Sequence, residues 1–158
     1  SVIPFFMSIK DKGVLPITDD RMTRFLISLE DGVKLVWHAF EDMMGGEIYV
    51  KKIPSMRMTD LARVVAPEAQ QEIIGIRPGE KLHEQMISSE DAHYTYEYPE
   101  HFKILPLIHN WAACPKRIKD GKKVPKGFVY ASDSNSEWMT DIDLQNWLEI
   151  NYEKIGSI

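Results

Sequence analysis

The chain has 158 residues, 44% hydrophobic and 27% charged, with a formal net charge of −5. That length allows burial of roughly 70% of the unfolded surface in one domain, and the acidic balance argues against nucleic acid or an anionic membrane as partner. No apolar run approaches the roughly 20 residues of a membrane-spanning helix, and the one cysteine, Cys114, excludes an internal disulfide and fits a reducing cytoplasm. Ala112, Ala113 and Pro115 around Cys114 offer the thiol no base, so it reads as structural.

Residues 1–9 read as a short helix, with Ser1 as N-cap, Pro4 in the first turn and Phe5, Phe6 and Ile9 on one face. They lack the basic n-region of a signal peptide. The missing initiator Met predicts that Ser1 is not the natural start. Asp11-Lys12-Gly13 ends this segment, and residues 14–18 form a short extended piece whose Pro16 predicts an edge or ligand-lining strand. Asp19, Asp20, Arg21 and Arg24 form a mixed-charge turn.

Residues 28–43 give the clearest helix. Ser28 caps it, Asp31 completes a loose capping box, and Val33, Val36, Trp37 and Phe40 follow helical spacing. Gly45-Gly46 stops it before a strand over 47–50. Thr59 is read as the cap of a helix reaching Ala66, with Leu61, Val64 and Val65 on its apolar face. Residues 93–98 and 102–105 predict a β-hairpin turning at Pro99-Glu100. Residues 109–127 read as a long loop, and the basic run Lys116, Arg117, Lys119, Lys122, Lys123 and Lys126 as its solvated face, for it lacks interleaved aromatics. Thr140 and Asp143 start a final helix whose apolar side is Ile142, Leu144, Trp147, Leu148 and Ile150.

The centre of the chain is Gly75-Ile76-Arg77-Pro78-Gly79-Glu80-Lys81-Leu82-His83-Glu84. Pro78-Gly79 predicts a type II turn, because Pro fixes φ at the first central position and Gly accepts positive φ at the second. Residues 73–76 read as a short buried strand and 81–87 as a helix, with Leu82, Met86 and Ile87 apolar. A guanidinium beside a helix start favours an anion, and Arg is shaped to take phosphate oxygens in pairs. Glu80 can accept two hydroxyl hydrogen bonds, as from a ribose diol. The same two residues also read as an Arg–Glu pair that braces the turn. His83 and Glu84 read as structural or supporting groups, since neighbours on a helix point to different faces. The five histidines form no HxxxH, HExxH or Cys/His cluster, so no metal site is expected. There is no P-loop, no GxSxG, no GxGxxG opening a strand–turn–helix, and no Tyr followed four residues later by Lys.

This central stretch, with Ser1-Val2-Ile3-Pro4-Phe5-Phe6, Pro16-Ile17-Thr18-Asp19-Asp20-Arg21-Met22-Thr23-Arg24-Phe25 and Gly46-Glu47-Ile48-Tyr49-Val50, resembles the inverting UDP-N-acetylglucosamine 4,6-dehydratases. These belong to the polysaccharide-biosynthesis branch of the extended short-chain dehydrogenase/reductases. The resemblance runs from residue 1 to about residue 150 and covers the C-terminal half of such an enzyme. It implies an α/β fold: the C-terminal substrate-binding portion, lacking the N-terminal Rossmann half. The whole chain is then a single substrate-binding region. Residues 1–50 would pack on the missing Rossmann sheet, 51–108 hold the strand–turn–helix and hairpin, 109–127 a loop, and 128–158 the last strand and helix. The strand over 47–50 would join that upstream sheet, leaving an apolar surface that favours self-association.

Members of the resembled family oxidise C4 of the sugar with tightly held NADP, eliminate water across C5 and C6, then return hydride to C6 while inverting C5. Their cofactor fingerprint and catalytic Asp-Lys and Tyr…Lys groups lie in the N-terminal half. The resemblance therefore implies no catalytic residue and no bound cofactor in this chain. It implies a UDP-sugar contact instead. Arg77 would meet the diphosphate, and Glu80 would hold the ribose or reinforce Arg77. Pro16, Ile17 and Thr18 would line the uracil, and Ser1 and Val2 would be the remnant of a nucleotide loop. Arg21 reads either as a second phosphate contact or as a solvated ion pair. Implied partners are UDP-N-acetylglucosamine or another UDP-sugar, the missing Rossmann half and further copies in a homo-oligomer, in the cytoplasm. A stand-alone nucleotide-sugar-binding or interaction module, and half of a related UDP-sugar epimerase, remain as alternatives.

Overall fold

The computed structural model describes residues 2–155, without the side chains of residues 109, 110, 112, 154 and 155. Ser1, expected to cap the first helix, lies outside the described residues. In chain order, α1 (Val2–Ile9) precedes β1 (Val14–Ile17), β2 (Thr23–Phe25), α2 (Leu29–Asp42) and β3 (Ile48–Lys51). Then come β4 (Ser55–Arg57), α3 (Met58–Val65), β5 (Gln70–Ile73) and β6 (Gln85–Ile87). β7 (Thr95–Glu97), β8 (His101–Ile104), α4 (Pro115–Ile118), β9 (Lys122–Lys123), β10 (Tyr130–Ala131) and α5 (Asp141–Ile155) complete a mixed α/β chain. These elements gather into two compact units with interleaved segments. The first holds Ser1–Leu26, Pro54–Glu84 and Asn135–Ile158, the second Ile27–Ile53 and Gln85–Ser134. The consecutive division read from the sequence does not follow these units. No helix among the described residues is long and apolar enough to cross a membrane.

In the first unit, β1 and β5 pair in parallel, Ile17 opposite Ile73, and β2 and β4 pair antiparallel. Ile3, Phe6, Leu15, Ile17, Leu61 and Leu144 lie in the core between these strands and helices α1, α3 and α5. Within α1 the buried pair is Ile3 and Phe6, one turn apart. Phe5, expected on that face, is 49% exposed. β4 runs directly into α3, and the Met58 N–H donates to Met22 O at 3.0 Å. The helix thus starts one residue before Thr59, which is not its cap. The start of α5 follows the expectation: Thr140 Oγ1 accepts from the Asp143 N–H at 3.2 Å, and Asp143 Oδ2 accepts from the Thr140 N–H at 2.9 Å. Its inner stripe is Leu144, Trp147, Leu148 and Asn151, whereas Ile142 and Ile150 point to solvent. Those two isoleucines fall off the three-and-four spacing that Leu144 sets.

In the second unit, β3, β8, β7 and β9 form a four-stranded antiparallel sheet in that order. The expected hairpin is β7 and β8. On the other side of β8 lies β3, the strand expected over residues 47–50: Ile48 stands opposite Ile104, so one edge of β3 has its partner within this chain, and β3 is the outer strand of the sheet. α2 begins as read, with Ser28 Oγ accepting from the Asp31 N–H at 3.1 Å. Val33, Val36, Trp37 and Phe40 are 45–66% exposed. The stretch 109–127 is not all loop, for α4 and β9 lie in it. Nor is its basic run all solvated: Arg117 is 5% exposed, donates to Glu47 Oε1 and Gly45 O, and lies over the Trp111 ring.

Candidate functional site

The turn at the centre of the chain forms as its sequence requires. Gly79 has φ +83°, and the Glu80 N–H donates to Arg77 O at 3.0 Å. The Arg77 N–H in turn points to Glu80 Oε2 at 3.4 Å, so the carboxylate folds over its own turn. No ion pair joins the two side chains among the described residues, and the Arg77 guanidinium is exposed. Arg21 differs. Its Nε and Nη2 bind both oxygens of Asp19 at 2.9 and 2.8 Å. Those bonds hold the Asp19 carboxyl well below the usual carboxylate range. Of the two candidate phosphate ligands, Arg77 has its guanidinium free among the described residues and Arg21 does not.

What flanks the turn differs from the sequence reading. Regular pairing ends at Ile73, and Ile73, Ile74 and Ile76 are 44–56% exposed rather than buried. Residues 81–87 are not a helix. Lys81 to Glu84 is irregular, and Gln85–Ile87 is β6, paired antiparallel with β10. Leu82, Met86 and Ile87 suit either state, and tertiary hydrogen bonds decide between them. Leu82 O accepts from the Thr23 N–H at 3.2 Å and from Arg24 Nη1 at 3.1 Å, and Lys81 O accepts from Arg24 Nη2 at 2.9 Å. Those carbonyls are not available to a helical ladder. There is accordingly no helix N-terminus beside Arg77, and Glu80 and Glu84 share no helix face. Any anion affinity must come from the guanidinium and the turn's own amides.

The turn is held at both ends by the segment around β1 and β2. Upstream, the Ile74 N–H donates to Ile17 O at 2.8 Å, just beyond the parallel β1–β5 register. Downstream, Arg24 takes the two carbonyls, its Nε faces Glu84 Oε1 at 3.4 Å, and Thr23 Oγ1 meets His83 Nδ1 at 2.8 Å. The carboxyl ends of two parallel strands therefore lie together, with Thr18 after one and the Arg77 turn after the other. Crevices off such strand ends are where open α/β sheets bind ligands. Along β1 the Ile17 side chain fills the core, while Pro16 and Thr18 are half-buried. Val2 packs partly buried against the same core in the first turn of α1.

Sequence reading missed Arg24 and Thr23, because their acceptors lie 57 to 60 residues away. It also missed a buried polar network in the second unit. Lys103, 1% exposed, donates to Asp42 Oδ2 at 2.6 Å, as does Tyr49 Oη, and Lys119 donates to Asp42 Oδ1. Burial pushes the Asp42 carboxyl up, but the bonds from Lys103, Lys119 and Tyr49 together outweigh it and hold it well below the carboxylate range. A cavity of about 410 Å³ opens beside this network, lined by Leu35, His38, Tyr98 and His101 among others. None of the candidate nucleotide contacts read from the sequence lines it. Among the described residues no group of three His, Cys, Asp or Glu is placed to hold a metal ion.

Known proteins resemble this chain in sequence and in fold. The chain is 52% identical over 151 residues to the inverting UDP-N-acetylglucosamine 4,6-dehydratase of Campylobacter jejuni, an alignment covering 91% of this chain and 45% of that protein. It is 41% identical over 109 residues to a UDP-glucose 4-epimerase of Rickettsia conorii, covering 66% of this chain and 32% of that one. The crystal structure of Pen from Bacillus thuringiensis superposes with a TM-score of 0.78 at 26% identity, over 99% of this chain and 46% of that chain. The chain thus spans about half the length, or less, of the relatives it matches. Residues 1–106 match the family model described as polysaccharide biosynthesis protein. With more than half of its residues in that match, the chain belongs to the polysaccharide biosynthesis protein family.

Proposed function

We propose that this chain is the UDP-sugar-binding portion of a C5-inverting, NADP-dependent UDP-N-acetylglucosamine 4,6-dehydratase that serves bacterial surface-sugar synthesis. The observation that carries the reading is the convergence of the β1 and β5 carboxyl ends, Ile74 N–H on Ile17 O, which sets the exposed Arg77 turn off the strand beside Thr18. In this reading Arg77 takes diphosphate oxygens and Glu80 takes the ribose hydroxyls. Pro16, Thr18 and the backbone at Ile17 line the uracil. Ser1 and Val2 contribute to the nucleotide contact, and Arg21 does so only if Asp19 releases it. The 52% identity to a protein named as the inverting dehydratase supports this choice of sugar nucleotide over that of the epimerases.

NADP does not fit the described residues. A dinucleotide site needs a parallel sheet opening onto a Gly-rich strand–turn–helix, and here the turn after β5 leads into irregular chain. NADP and the reacting groups accordingly belong to a Rossmann portion outside this chain, which is inactive alone and works in the cytoplasm within a homo-oligomer. The test is complementation. This chain, mixed with the separately produced N-terminal part of the Campylobacter jejuni relative, is incubated with UDP-N-acetylglucosamine and NADP. The expected product is the C5-inverted 4-keto-6-deoxy sugar nucleotide, formed by neither part alone. Turnover by this chain alone contradicts the proposal. UDP binding without complementation favours a stand-alone binding module.

A further inference from the structure

The geometry points to Arg24 as the positioning residue for the Arg77–Glu80 turn, acting in place of regular secondary structure. This rests on the reading of that turn as the UDP-sugar contact. Residues 81–84 have neither helix nor strand to fix them, yet they carry the downstream end of a turn whose two functional side chains must hold one geometry. Besides the Thr23 N–H on Leu82 O, one guanidinium supplies most of the donors to their carbonyls. Its Nη1 reaches Leu82 O at 3.1 Å and Thr23 O at 2.7 Å, its Nη2 reaches Lys81 O at 2.9 Å, and its Nε faces Glu84. The Arg24 side chain is 20% exposed; its bonds to Thr23 O and Leu82 O are partly buried, while those to Lys81 O and Glu84 lie at the surface. Arg24 belongs to β2, which pairs with β4 residue by residue, Arg24 opposite Met56. The fork is therefore mounted on a strand rather than on a loop. Its planar geometry is what spans two successive carbonyls, and a lysine ammonium presents a point charge instead.

Arg24→Lys separates positioning from general stability. Arg63→Lys is the control. It makes the same chemical change in the same unit, but Arg63 pairs with Asp60 within α3 and ties α3 to α5 through Asp141, and among the described residues it has no bond to the turn. Amide hydrogen exchange is followed in the 158-residue chain, and UDP affinity is measured by calorimetry. Arg24→Lys is expected to raise exchange at Arg77 and Glu80, whose N–H groups close the turn, by at least about tenfold while β1 and β5 stay within about twofold. UDP is expected to bind about tenfold more weakly, the effect of losing one hydrogen bond to a charged group. Arg63→Lys changes neither. Unchanged exchange at the turn, a loss spread evenly over β1 and β5, or unchanged UDP affinity overturns the assignment. A wild-type chain that binds no UDP overturns the reading of the turn as a nucleotide site. The exchange data then still decide whether Arg24 holds the turn.

Discussion

Replacing Asp42 with Asn should cost the second unit about 3 kcal/mol. Asp42 accepts from Lys103 and Tyr49, each at 2.6 Å, and from Lys119. The Lys103 side chain is 2% exposed and cannot turn to water without opening the β3–β8 pairing around it. Removing one partner of a buried pair typically costs about 3–5 kcal/mol, because the other charge stays buried and unpaired. The lower end applies here, since the Lys103 ammonium still faces the rings of Tyr98 at 4.9 Å and Tyr49 at 5.6 Å. With two compact units, a whole-chain melting curve is not a two-state observable. The assay is native-state amide exchange in β3 and β8, where about 3 kcal/mol appears as roughly a hundredfold loss of protection. Lys103→Met supplies the second arm of a double-mutant cycle. Once the buried charge is gone, Asp42→Asn should cost less, giving a coupling of about 1–3 kcal/mol. A cost below about 1 kcal/mol for Asp42→Asn, or strict additivity in the cycle, would refute the reasoning.

Three further outcomes follow from the same structure. Burial, with His38 and Lys103 nearby, pushes the His101 imidazole down to about 4, whereas an unfolded histidine titrates near about 6.5. The unfolded chain thus binds more protons between those values, so the second unit should be most stable above about pH 6.5 and lose stability as the pH falls toward 4. NMR titration of His101 with a midpoint near 6.5 would contradict this. A Cβ on Gly121 would lie 2.5 Å from Tyr98 Cζ and Oη, on a ring stacked against His101 at 4.6 Å. Gly121→Ala should therefore destabilise by about 1–3 kcal/mol, read as lost exchange protection in β7. The exposed α2 stripe should drive self-association: sedimentation coefficients should rise with concentration and stop doing so in Trp37→Glu/Phe40→Glu.

Local rules carried the elements whose causes are local. Ser28 with Asp31 and Thr140 with Asp143 start α2 and α5 because a cap hydrogen bond spans three residues. Pro78-Gly79 makes its turn for reasons contained in two residues. The hairpin of β7 and β8 follows from alternation around Pro99 and Glu100. The errors have distant causes. Residues 81–87 have a pattern that fits a helix, but Arg24 claims two of their carbonyls and Tyr130–Ala131 claims the strand. The strand Ile48–Lys51 was legible, but its partner at His101–Ile104, about fifty residues on, was not. Arg117 looks like one charge in a solvated run until Glu47 and Trp111 fold against it. At the candidate site, the same division holds. The turn that carries Arg77 and Glu80 was legible because its causes are local, whereas the bonds from Thr23 and Arg24 to the residues after it were not.

The most direct test of the account is a calorimetric titration of UDP into the wild-type chain and into Arg77→Ala. Arg77 is the exposed guanidinium on the anchored turn, so the account predicts saturable binding to the wild type. It predicts affinity at least about tenfold weaker for the variant, the loss of a charge-assisted phosphate contact. Binding that is absent from the wild type, or equal in the two proteins, would contradict the assignment of this turn as the UDP-sugar contact.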